Sequence, residues 1–287
     1  MQLVNREYAV AVARKETEDI RKLNFHRILN GKNFWVADPF PIEIEGILYI
    51  FGEIYEYSTN KGSIGYTKYV SDGFSPWKIV ISEDYHLSFP NIFRVGEEIY
   101  ICPEACGSGE LYLYKAKKFP DLWEKDRVLC NNCNFSDTIF YKKDRIYAFT
   151  CEWNSLDNHC FKMLRIENEK IVESKGELDT LDFYLTRPAG KIIQNRDKTE
   201  YMVSQICKPL YGSGLIIKEF EVNWPNYSEK EILRIFPEQI NVDKKEHYVG
   251  MHTLNYSENY VVIDLIWERF SPIRKLIRLR SKLISDK

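Results

Sequence analysis

The sequence predicts an all-β protein, a five-bladed β-propeller followed by a short basic C-terminal helix. Three observations predict this fold: a hairpin pattern that repeats five times, a constant spacing within three of the copies, and no convincing long helix between them. Each copy reads as a strand, a short polar turn and a second strand rich in Ile, Tyr, Val and Phe. The copies cover residues 37–53, 89–104, 136–152, 186–205 and 251–268.

The first three copies share one register. The same spacing of 14 residues separates a residue near the start of each copy from its last residue, as in Pro39 and Glu53, Pro90 and Glu104, and Thr138 and Glu152. The fourth copy is lengthened by the turn QNRDK and ends on Gln205, and the fifth ends near Glu268. A β-sandwich with accidental similarity is the alternative fold, but the shared spacing favours the propeller.

Each copy is predicted to form the two inner strands of a blade. The sequences between copies, such as GSIGYTKYVSDGFSPWKIVI and GELYLYKAKKFPDLWEKDRVLC, carry two further strands each and form the outer half of a blade. The N-terminal NREYAVAVARK is expected to supply a strand of the last blade and to close the ring. The predicted domains are therefore a propeller over residues 1–269 and a C-terminal helix over residues 270–287.

The composition excludes several classes of protein. With 40 basic and 42 acidic side chains and a net charge of −2, no nucleic-acid partner is expected. The N-terminus shows no secretory signal, and no run reaches the roughly 18 apolar residues that a membrane span needs. The seven Cys are interpreted as reduced thiols of a cytoplasmic protein. Cys130 and Cys133 have zinc-knuckle spacing, but no second pair matches them, and Cys151, His159 and Cys160 could join them only through folding. No metal and no other cofactor are expected.

Propeller geometry brings distant sequence positions to one axis. The innermost strand of each blade lines the central channel, so the residue at the start of each copy faces the same hub. These positions hold Asp38, Phe89 with His86 just before it, Asp137, Arg187 and His252. The ends of the second strands add Glu53, Glu104, Glu152 and Gln205. Burying many ionisable groups is costly unless they are paired or hydrated, so the hub is predicted to be a functional site.

Several carboxyl groups around one pocket suit glycosyl chemistry. One serves as base or nucleophile, and another with a raised pKa serves as acid, because like charges push pKa values apart. By position, Asp38 is predicted to be the base or nucleophile and Glu104 the acid. Asp137 would tune them or hold a sugar hydroxyl. Glu53 and Glu152 have the alternative role of accepting backbone N–H groups within their blades.

Positive charge is expected in the same ring from Arg187 and His252. A mixed pocket suits a donor that bears phosphate, because arginine binds phosphate through a planar fork. An equal alternative is that Arg187 pairs with Asp137 or Asp38.

The loop QICKPLYGSG beside the fourth copy is a further candidate contact, although it matches no phosphate-binding motif. It adds Lys208 and Tyr211 to the site. The predicted substrate-binding residues are Glu53, His86, Arg187, Gln205, Lys208, Tyr211 and His252.

Seven short motifs occur in an order that is typical of one family: ADPF, YHLSFPNIF, PEA, SDTIF, RPAG, QICKPLYG and GMHT. They resemble the five-bladed propeller module named for the N-terminal part of plant glucosamine inositolphosphorylceramide transferases, which has bacterial relatives in surface-polysaccharide proteins. The resemblance covers roughly residues 30 to 270 and implies a propeller in a sugar setting. The plant proteins carry a separate glycosyltransferase domain, and this sequence shows no counterpart of it.

More distantly, the sequence is similar to the propeller glycosidases of families 32, 43 and 68. Those enzymes use an Asp on the first blade, a second Asp on a following blade and a Glu acid. Asp38 matches the first of these by position, and Glu104 and Asp137 are the candidates for the others. Here the Glu precedes the second Asp, which departs from the glycosidase order.

The expected function is a glycosyltransferase of capsule or lipopolysaccharide assembly. It would transfer a sugar, a furanose by analogy with the propeller glycosidases, from a nucleotide-sugar donor to a glycan or glycolipid acceptor. The missing secretory signal favours this over a secreted furanosidase-type hydrolase. A third alternative, a non-catalytic glycan-binding propeller, would not need the three acids Asp38, Glu104 and Asp137.

The C-terminal FSPIRKLIRLRSKLISDK, residues 270–287, places apolar residues mostly along one helical stripe and basic residues over much of the remainder. A basic amphipathic helix is typical of membrane-surface binding, which would hold the protein peripherally on the inner membrane face. The alternative is a helix that packs on the propeller or against a second copy.

Overall fold

Five β-sheets surround a central axis as the blades of a propeller. The structure is a computed structural model and describes residues 4–71, 73–155, 158–167, 170–173, 178, 181–195, 197–243 and 246–270. Within these residues the regular elements are strands, with short 3-10 turns at Ile20–Lys22, Cys106–Ser108, Phe183–Leu185 and Pro237–Gln239. The predicted all-β, five-bladed propeller is confirmed.

The strands follow the repeated hairpins in chain order. They are β1 (Val4–Arg14), β2 (Asn24–Arg27), β3 (Phe34–Ile44), β4 (Ile47–Glu56), β5 (Lys61–Val70), β6 (Gly73–Phe74), β7 (Lys78–Ile81), β8 (Ser88–Val95), β9 (Glu98–Glu104), β10 (Glu110–Lys118), β11 (Leu122–Asn131), β12 (Phe135–Lys142), β13 (Ile146–Ser155), β14 (Asn158–Glu167), β15 (Lys170–Glu173), β16 (Ile193–Gln194), β17 (Glu200–Ile206), β18 (Gly214–Asn223), β19 (Asn226–Ile235), β20 (Asn241–Val242), β21 (Tyr248–Gly250), β22 (Leu254–Tyr256) and β23 (Tyr260–Phe270).

Each repeated copy forms the inner half of a blade, as predicted. Blades 2, 3 and 4 run outward in chain order as β8 to β11, β12 to β15 and β16 to β19. Blade 1 runs from β3 through β4 to β5, and both β6 and β7 pair with β5. Blade 5 starts with the short strands β21 and β22, which both pair with β23, and continues outward through β1, β2 and β20.

The N-terminal strand closes the ring. β1 pairs with β23 in antiparallel register, from Val4 opposite Phe270 to Arg14 opposite Tyr260. Val10 and Ala11 in the middle of β1 are wholly buried. This confirms that the N-terminal segment supplies a strand of the last blade. Strands from the two ends of the described chain therefore share one sheet, which leaves no unpaired edge at the closure.

Three inner strands have a residue with left-handed backbone in their first half. Asp38, Phe89 and Asp137 have φ angles of 50°, 45° and 52°. Each lies within a register shift of its hairpin, where an extra residue bulges out of the ladder. A left-handed residue costs about 1 kcal/mol, and Asp adopts this conformation more readily than most side chains. The same bulge holds an Asp in the first and third copies and Phe89 in the second.

Hydrogen bonds at the inner strands join each blade to the next. The donors and acceptors are Phe89 N–H to Asp38 Oδ2 (3.1 Å), Asn91 Nδ2 to the Thr138 carbonyl (3.1 Å), Gln205 Nε2 to Asp137 Oδ2 (3.0 Å), Leu254 N–H to the Ala189 carbonyl (2.8 Å) and Asn255 Nδ2 to the Pro39 carbonyl (2.9 Å). These contacts complete a circle around the axis, so the hub side chains also hold the blades together.

Farther from the axis, aromatic rings pack between blades. The ring of Phe51 in blade 1 lies 5.6 Å from Trp123 in blade 2, edge to face. Phe149 in blade 3 meets Phe220 and Tyr227 in blade 4 at 5.7 and 5.6 Å. Edge-to-face ring pairs add stability beyond the area they bury. Much of the high aromatic content therefore serves blade packing.

One acid that the sequence placed at the hub, Glu152, lies elsewhere. The turn of blade 3 has three residues between the paired Lys142 and Ile146, one more than in blade 1, and the register moves by one. Cys151 therefore faces Ser136 at the hub position, and Glu152 points to the other side of the sheet, where it contacts Lys162 at 3.3 Å.

The acid at the end of the fifth copy also lies away from the hub. Glu268 is exposed and lies 3.6 Å from Arg6. The acid that reaches the hub from β23 is Asp264, four residues earlier.

No helix within the described ranges is long and apolar enough to cross a membrane. The predicted basic helix over residues 270–287 lies outside the described residues beyond Phe270, where β23 ends. Its existence and its role at a membrane stay predictions.

Removing residues 1–14 should abolish the cooperative folded state, because β23 loses the strand on its outer side and blade 5 is cut off from β2 and β20. We expect no cooperative thermal transition in circular dichroism for the shortened chain. Removal of residues 1–3 alone, which precede β1, is the control and should leave the transition in place. Cooperative unfolding of the 15–287 chain within about 5 °C of the full chain would contradict the closure.

Candidate active site at the propeller hub

The structure gathers seven of the ten predicted site residues at the hub. Six of them are linked by side-chain contacts: Asp38, Glu104, Asp137, Arg187, Gln205 and His252. The seventh, Glu53, lies near enough for Asp38 and Glu104 to raise its pKa. The other three lie around them. His86 is half-exposed beside Glu53, Tyr211 contacts both Arg187 and His252, and Lys208 is exposed with its amine 3.6 Å from the centre of the Tyr184 ring.

Asp137 anchors the half of the hub between blades 3 and 4. Its Oδ2 accepts hydrogen bonds from Arg187 Nε and from Gln205 Nε2, the latter at 3.0 Å. Arg187 Nη2 lies 3.6 Å from Glu104 Oε2, and its guanidinium lies over the rings of Trp153 and Tyr211. Arg187 therefore pairs with Asp137, which was one of the two alternatives left open by the sequence.

Asp38 and His252 occupy the half between blades 1 and 5. Asp38 accepts hydrogen bonds from the Phe89 N–H at 3.1 Å and from Thr253 Oγ1 at 2.9 Å. The His252 ring lies 3.8 Å from Asp38 and 2.6 Å from Asp264, through Nδ1 in both cases. Asp38 thus sits among donors that stabilise its ionised form.

Asp264 is the hub residue that sequence reasoning missed. It lies in β23 within the apolar run YVVIDLIWE and is 0% exposed. A charged side chain in a fully buried strand is stable only when it has hydrogen-bond or ion-pair partners. A lone Asp inside an apolar run was therefore the sequence signal that could have identified Asp264. It went unused because hub positions were assigned only at the starts and ends of the repeated copies, and Asp264 lies inside the fifth copy.

The two predicted catalytic acids titrate on opposite sides of neutrality. Burial raises the pKa of Asp38 to about 6, with the His252 cation opposing the rise and Asp264 and Asp137 adding to it. Burial and repulsion by Asp137, opposed by Arg187, raise the pKa of Glu104 to about 8. At pH 7 Asp38 is mostly ionised and Glu104 is mostly protonated.

The pKa values of two other hub groups are also raised. Burial and repulsion by Asp38 raise the pKa of Glu53 well above its ordinary value, which favours its neutral form. Burial works to lower the pKa of His252, but Asp264 and Asp38 outweigh it and raise that pKa to about 9. The imidazole is therefore a cation.

Two buried carboxyl oxygens at the hub have no hydrogen-bond partner within the described part of the chain, Glu53 Oε1 and Glu104 Oε2. His86 Nε2 lies 3.3 Å from Glu53 Oε1 but is not aligned for a hydrogen bond. An unsatisfied buried polar atom costs about 1–3 kcal/mol, which water or a ligand hydroxyl can recover. These two oxygens are therefore positions at which a water molecule or a ligand hydroxyl could form a hydrogen bond.

Aromatic rings form part of the rim around the hub. Trp35 stacks on Tyr55 at 4.5 Å and lies 4.7 Å from Tyr8. Tyr8 stacks on the His252 ring at 5.0 Å, and Tyr211 meets the same ring edge-on at 5.4 Å. Amphipathic rings beside carboxyl groups suit sugar, whose ring has apolar C–H faces and polar hydroxyls.

One group in the hub has the residue types of a metal site. Ligand atoms of Asp38, His252 and Asp264 all lie within 4.8 Å of one another. Their oxygens, however, face hydrogen-bond donors: Asp38 faces Phe89 N–H and Thr253 Oγ1, while Asp264 faces the His252 ring and three backbone N–H groups. The group is satisfied by the protein and does not fit a resident cation, whose ligands must face it with free lone pairs.

Fold and site together define a class, the five-bladed propellers with a carboxyl-lined hub. A family model described as glucosamine inositolphosphorylceramide transferase 1, N-terminal, matches residues 28–245. The chain belongs to this family, as its motifs indicated.

Two relatives show the extent of the match. Glucosamine inositolphosphorylceramide transferase 1 of Arabidopsis thaliana is 36% identical over 212 residues, which cover 69% of this chain and 27% of that protein. The protein of the same name from Oryza sativa subsp. japonica is 39% identical over 98 residues, 33% of this chain and 13% of the relative. The chain spans about a quarter of the length of the Arabidopsis relative.

Solved propellers share the fold. A family 43 β-xylosidase/α-arabinofuranosidase from a compost microbial metagenome superimposes with a TM-score of 0.55 at 9% identity, over 83% of this chain and 91% of that one. The family 32 β-fructofuranosidase of Bombyx mori gives 0.53 at 11% identity, over 73% and 54%. At such identities the likeness is one of fold.

The variant Glu104→Gln should change how stability depends on pH. Folding raises the pKa of Glu104, so this group releases a proton when the protein unfolds between pH 4.5 and 8. Its contribution to the free energy of unfolding therefore falls as the pH rises through this range. The slope from one such group is at most about 1.4 kcal/mol per pH unit. Urea unfolding from pH 5 to 8 should show Glu104→Gln gaining stability relative to the wild type as pH rises. The exposed Glu258→Gln is the control, and parallel curves for wild type and Glu104→Gln would contradict the raised pKa.

Proposed function

We propose that this protein is a glycosyltransferase that binds the sugar of an activated nucleotide-sugar donor at the hub. The observation that carries the proposal is the pair of carboxyl groups on adjacent blades, the buried Asp38 and the partly buried Glu104, whose pKa values lie on either side of 7. Such a pair supplies a base and an acid at the same pH, as glycosyl transfer requires.

The reaction would pass through an oxocarbenium-like state between the two carboxyl groups. Ionised Asp38 is the base or nucleophile, held by the Phe89 N–H and the Thr253 hydroxyl. Protonated Glu104 gives its proton to the donor phosphate oxygen as the bond from that oxygen to the anomeric carbon breaks. The acceptor hydroxyl oxygen forms the new bond to the anomeric carbon, and its proton passes to Asp38 where Asp38 acts as base, or to Glu104 where Asp38 acts as nucleophile. The positive charge that develops on the sugar ring is stabilised by the nearby anions of Asp38 and Asp137. The oxygens of Glu53 and Glu104 that lack partners would bind sugar hydroxyls, as would Gln205.

The phosphates of the donor belong at the rim in this proposal. Arg187 and His252 are buried, and each contacts a carboxylate, so their charges are largely balanced inside the hub. Lys208 is exposed, and no carboxylate within the described ranges lies at ion-pair distance from it. Lys208 and Tyr211 are therefore the candidates for holding the leaving phosphate, with the outer edge of Arg187 behind them.

The setting proposed is cytoplasmic assembly of a cell-surface polysaccharide, with a glycan or glycolipid as acceptor and peripheral membrane contact through residues 270–287. The names of the plant relatives join a sugar to an inositolphosphorylceramide, which supports a glycolipid acceptor.

Glycoside hydrolysis of the furanosidase type is the second candidate. The hub holds five carboxyl groups, Asp38, Glu53, Glu104, Asp137 and Asp264, against two cations. That balance suits an uncharged glycoside better than a diphosphate and is the observation favouring hydrolysis. Water would then be the acceptor, with Asp38 and Glu104 in the same roles.

Incubation with a panel of furanosyl and pyranosyl nucleotide sugars and mixed glycan acceptors should release nucleotide. Asp38→Asn should lower the rate at least about 100-fold, because the amide cannot act as base, while Asn tolerates the left-handed backbone. Glu152→Gln is the matched control, since its side chain lies off the hub, and it should keep the wild-type rate.

Undiminished release by Asp38→Asn would remove Asp38 from the mechanism. Cleavage of aryl furanosides without use of any nucleotide sugar would replace the transferase by the hydrolase. Glycan binding without turnover of either substrate class would identify a binding module.

The rate should depend on pH through the same two carboxyl groups. We expect kcat/KM to rise through a pKa near 6 as Asp38 loses its proton, and to fall through a pKa near 8 as Glu104 loses its own. Initial rates from pH 4.5 to 9.5 would measure both limbs. The residual activity of Glu104→Gln should lack the basic limb, and a basic limb that persists in this variant would assign the acid to another residue.

A further inference from the structure

Asp264 is surrounded by hydrogen-bond donors at the junction of blades 5 and 1. Its Oδ1 accepts from the His252 N–H at 2.9 Å and the Thr253 N–H at 3.0 Å. Its Oδ2 contacts His252 Nδ1 at 2.6 Å and accepts from the Asp38 N–H at 3.2 Å. Four donors thus converge on two oxygens, an arrangement that only a carboxylate can satisfy, because an amide would turn an NH2 group against two of the donors.

The first consequence concerns the backbone of Asp38. This residue is in the left-handed conformation, and its amide points at Asp264 across the blade junction. The Asp264 carboxylate therefore stabilises the strained step that places the Asp38 side chain at the hub. Thr253, whose amide is bound by the same carboxylate, gives its hydroxyl to Asp38 at 2.9 Å. Asp264 therefore positions the backbone of Asp38 directly and its side chain through Thr253.

The second consequence concerns the charge on His252. Its ring is clamped between Tyr8 from β1 and Tyr211 from the loop before β18, and Asp264 contacts its Nδ1. The charged or titratable groups that act on it are Asp264 from β23, Asp38 from β3, Asp137 from β12, and those two tyrosines. The short contact to Asp264 compensates for burial of the cation, and that cation in turn favours the ionised form of Asp38.

We propose that Asp264 is the positioning residue of the hub, which fixes the backbone of Asp38 and keeps His252 cationic so that Asp38 stays an anion ready to act. The inference rests on the proposed function for the part that concerns reaction rate. The part that concerns the His252 cation stands on the contacts alone.

The decisive variant is Asp264→Asn, with Asp243→Asn as its matched control. Asp243 also contacts a histidine, His26 at 3.3 Å, and also accepts a backbone N–H, from Arg27, but it lies at the surface away from the hub. Titration of the histidine rings, followed by NMR on protein with nitrogen-15 histidine, reports the cation directly and needs no substrate. The His252 signal is assigned by its loss in His252→Gln.

In the wild type we expect the His252 ring to titrate near pH 9, and in Asp264→Asn below pH 7. The signal of His252 should be unchanged in Asp243→Asn. An unchanged titration of His252 in Asp264→Asn would overturn the proposal. This holds even if no donor is turned over, so failure of the proposed function and failure of this inference are separate results.

With an active donor, kcat of Asp264→Asn should fall at least tenfold while KM changes little. The acidic limb of its pH profile should move upward, because His252 lowers the pKa of Asp38 more than Asp264 raises it. An acidic limb that stays in place would overturn the positioning role. Should Asp264→Asn fail to fold, Asp264→Glu keeps the charge but not the distances. It should keep the His252 cation and lose kcat, and wild-type kcat in that variant would equally overturn the role.

Discussion

The structure depends on one constraint: charged groups brought to the axis of a closed ring must be neutralised there by one another. Each blade contributes polar groups to a hub that water barely reaches, and isolated burial of any of them would cost several kcal/mol. The solution is two linked clusters. Asp137 with Arg187 and Gln205 joins blades 3 and 4, and Asp38, His252 and Asp264 join blades 5 and 1.

The same contacts that balance charge also hold the ring. Carboxylates accept backbone N–H groups across blade boundaries, and amide side chains bond to carbonyls of the next blade. Asp38 and Asp137 both have left-handed backbone at the bulges of their strands. In this conformation the Asp38 N–H reaches Asp264, and the side chains of both Asp residues reach their partners at the hub. Site and scaffold are therefore one network, and hub substitutions will affect stability as well as chemistry.

Protonation gives the hub its chemical character. Burial and neighbouring carboxyl groups raise the pKa values of Glu53 and Glu104 and favour their neutral forms, whereas His252 and hydrogen bonds favour the anion of Asp38. A pocket with one acid, one base and unsatisfied carboxyl oxygens is suited to a polyhydroxylated substrate. The chain belongs to the family of the N-terminal part of glucosamine inositolphosphorylceramide transferase 1, and it shares its fold with a family 43 propeller glycosidase.

The sequence by itself determined the fold class, the inner hairpins and most of the hub, because a repeated hairpin with fixed spacing has few ways to bury its apolar faces. Only the tertiary structure decided which acids meet. A one-residue change of register turned Glu152 away and put Cys151 in its place, and spacing cannot reveal such a shift. The role of Asp264 could likewise not be recognised within its apolar strand, because the partners that stabilise its charge, Asp38, His252 and Thr253, lie elsewhere in the sequence. Charge pairing and protonation depend on distances across blades, and the linear sequence does not contain those distances.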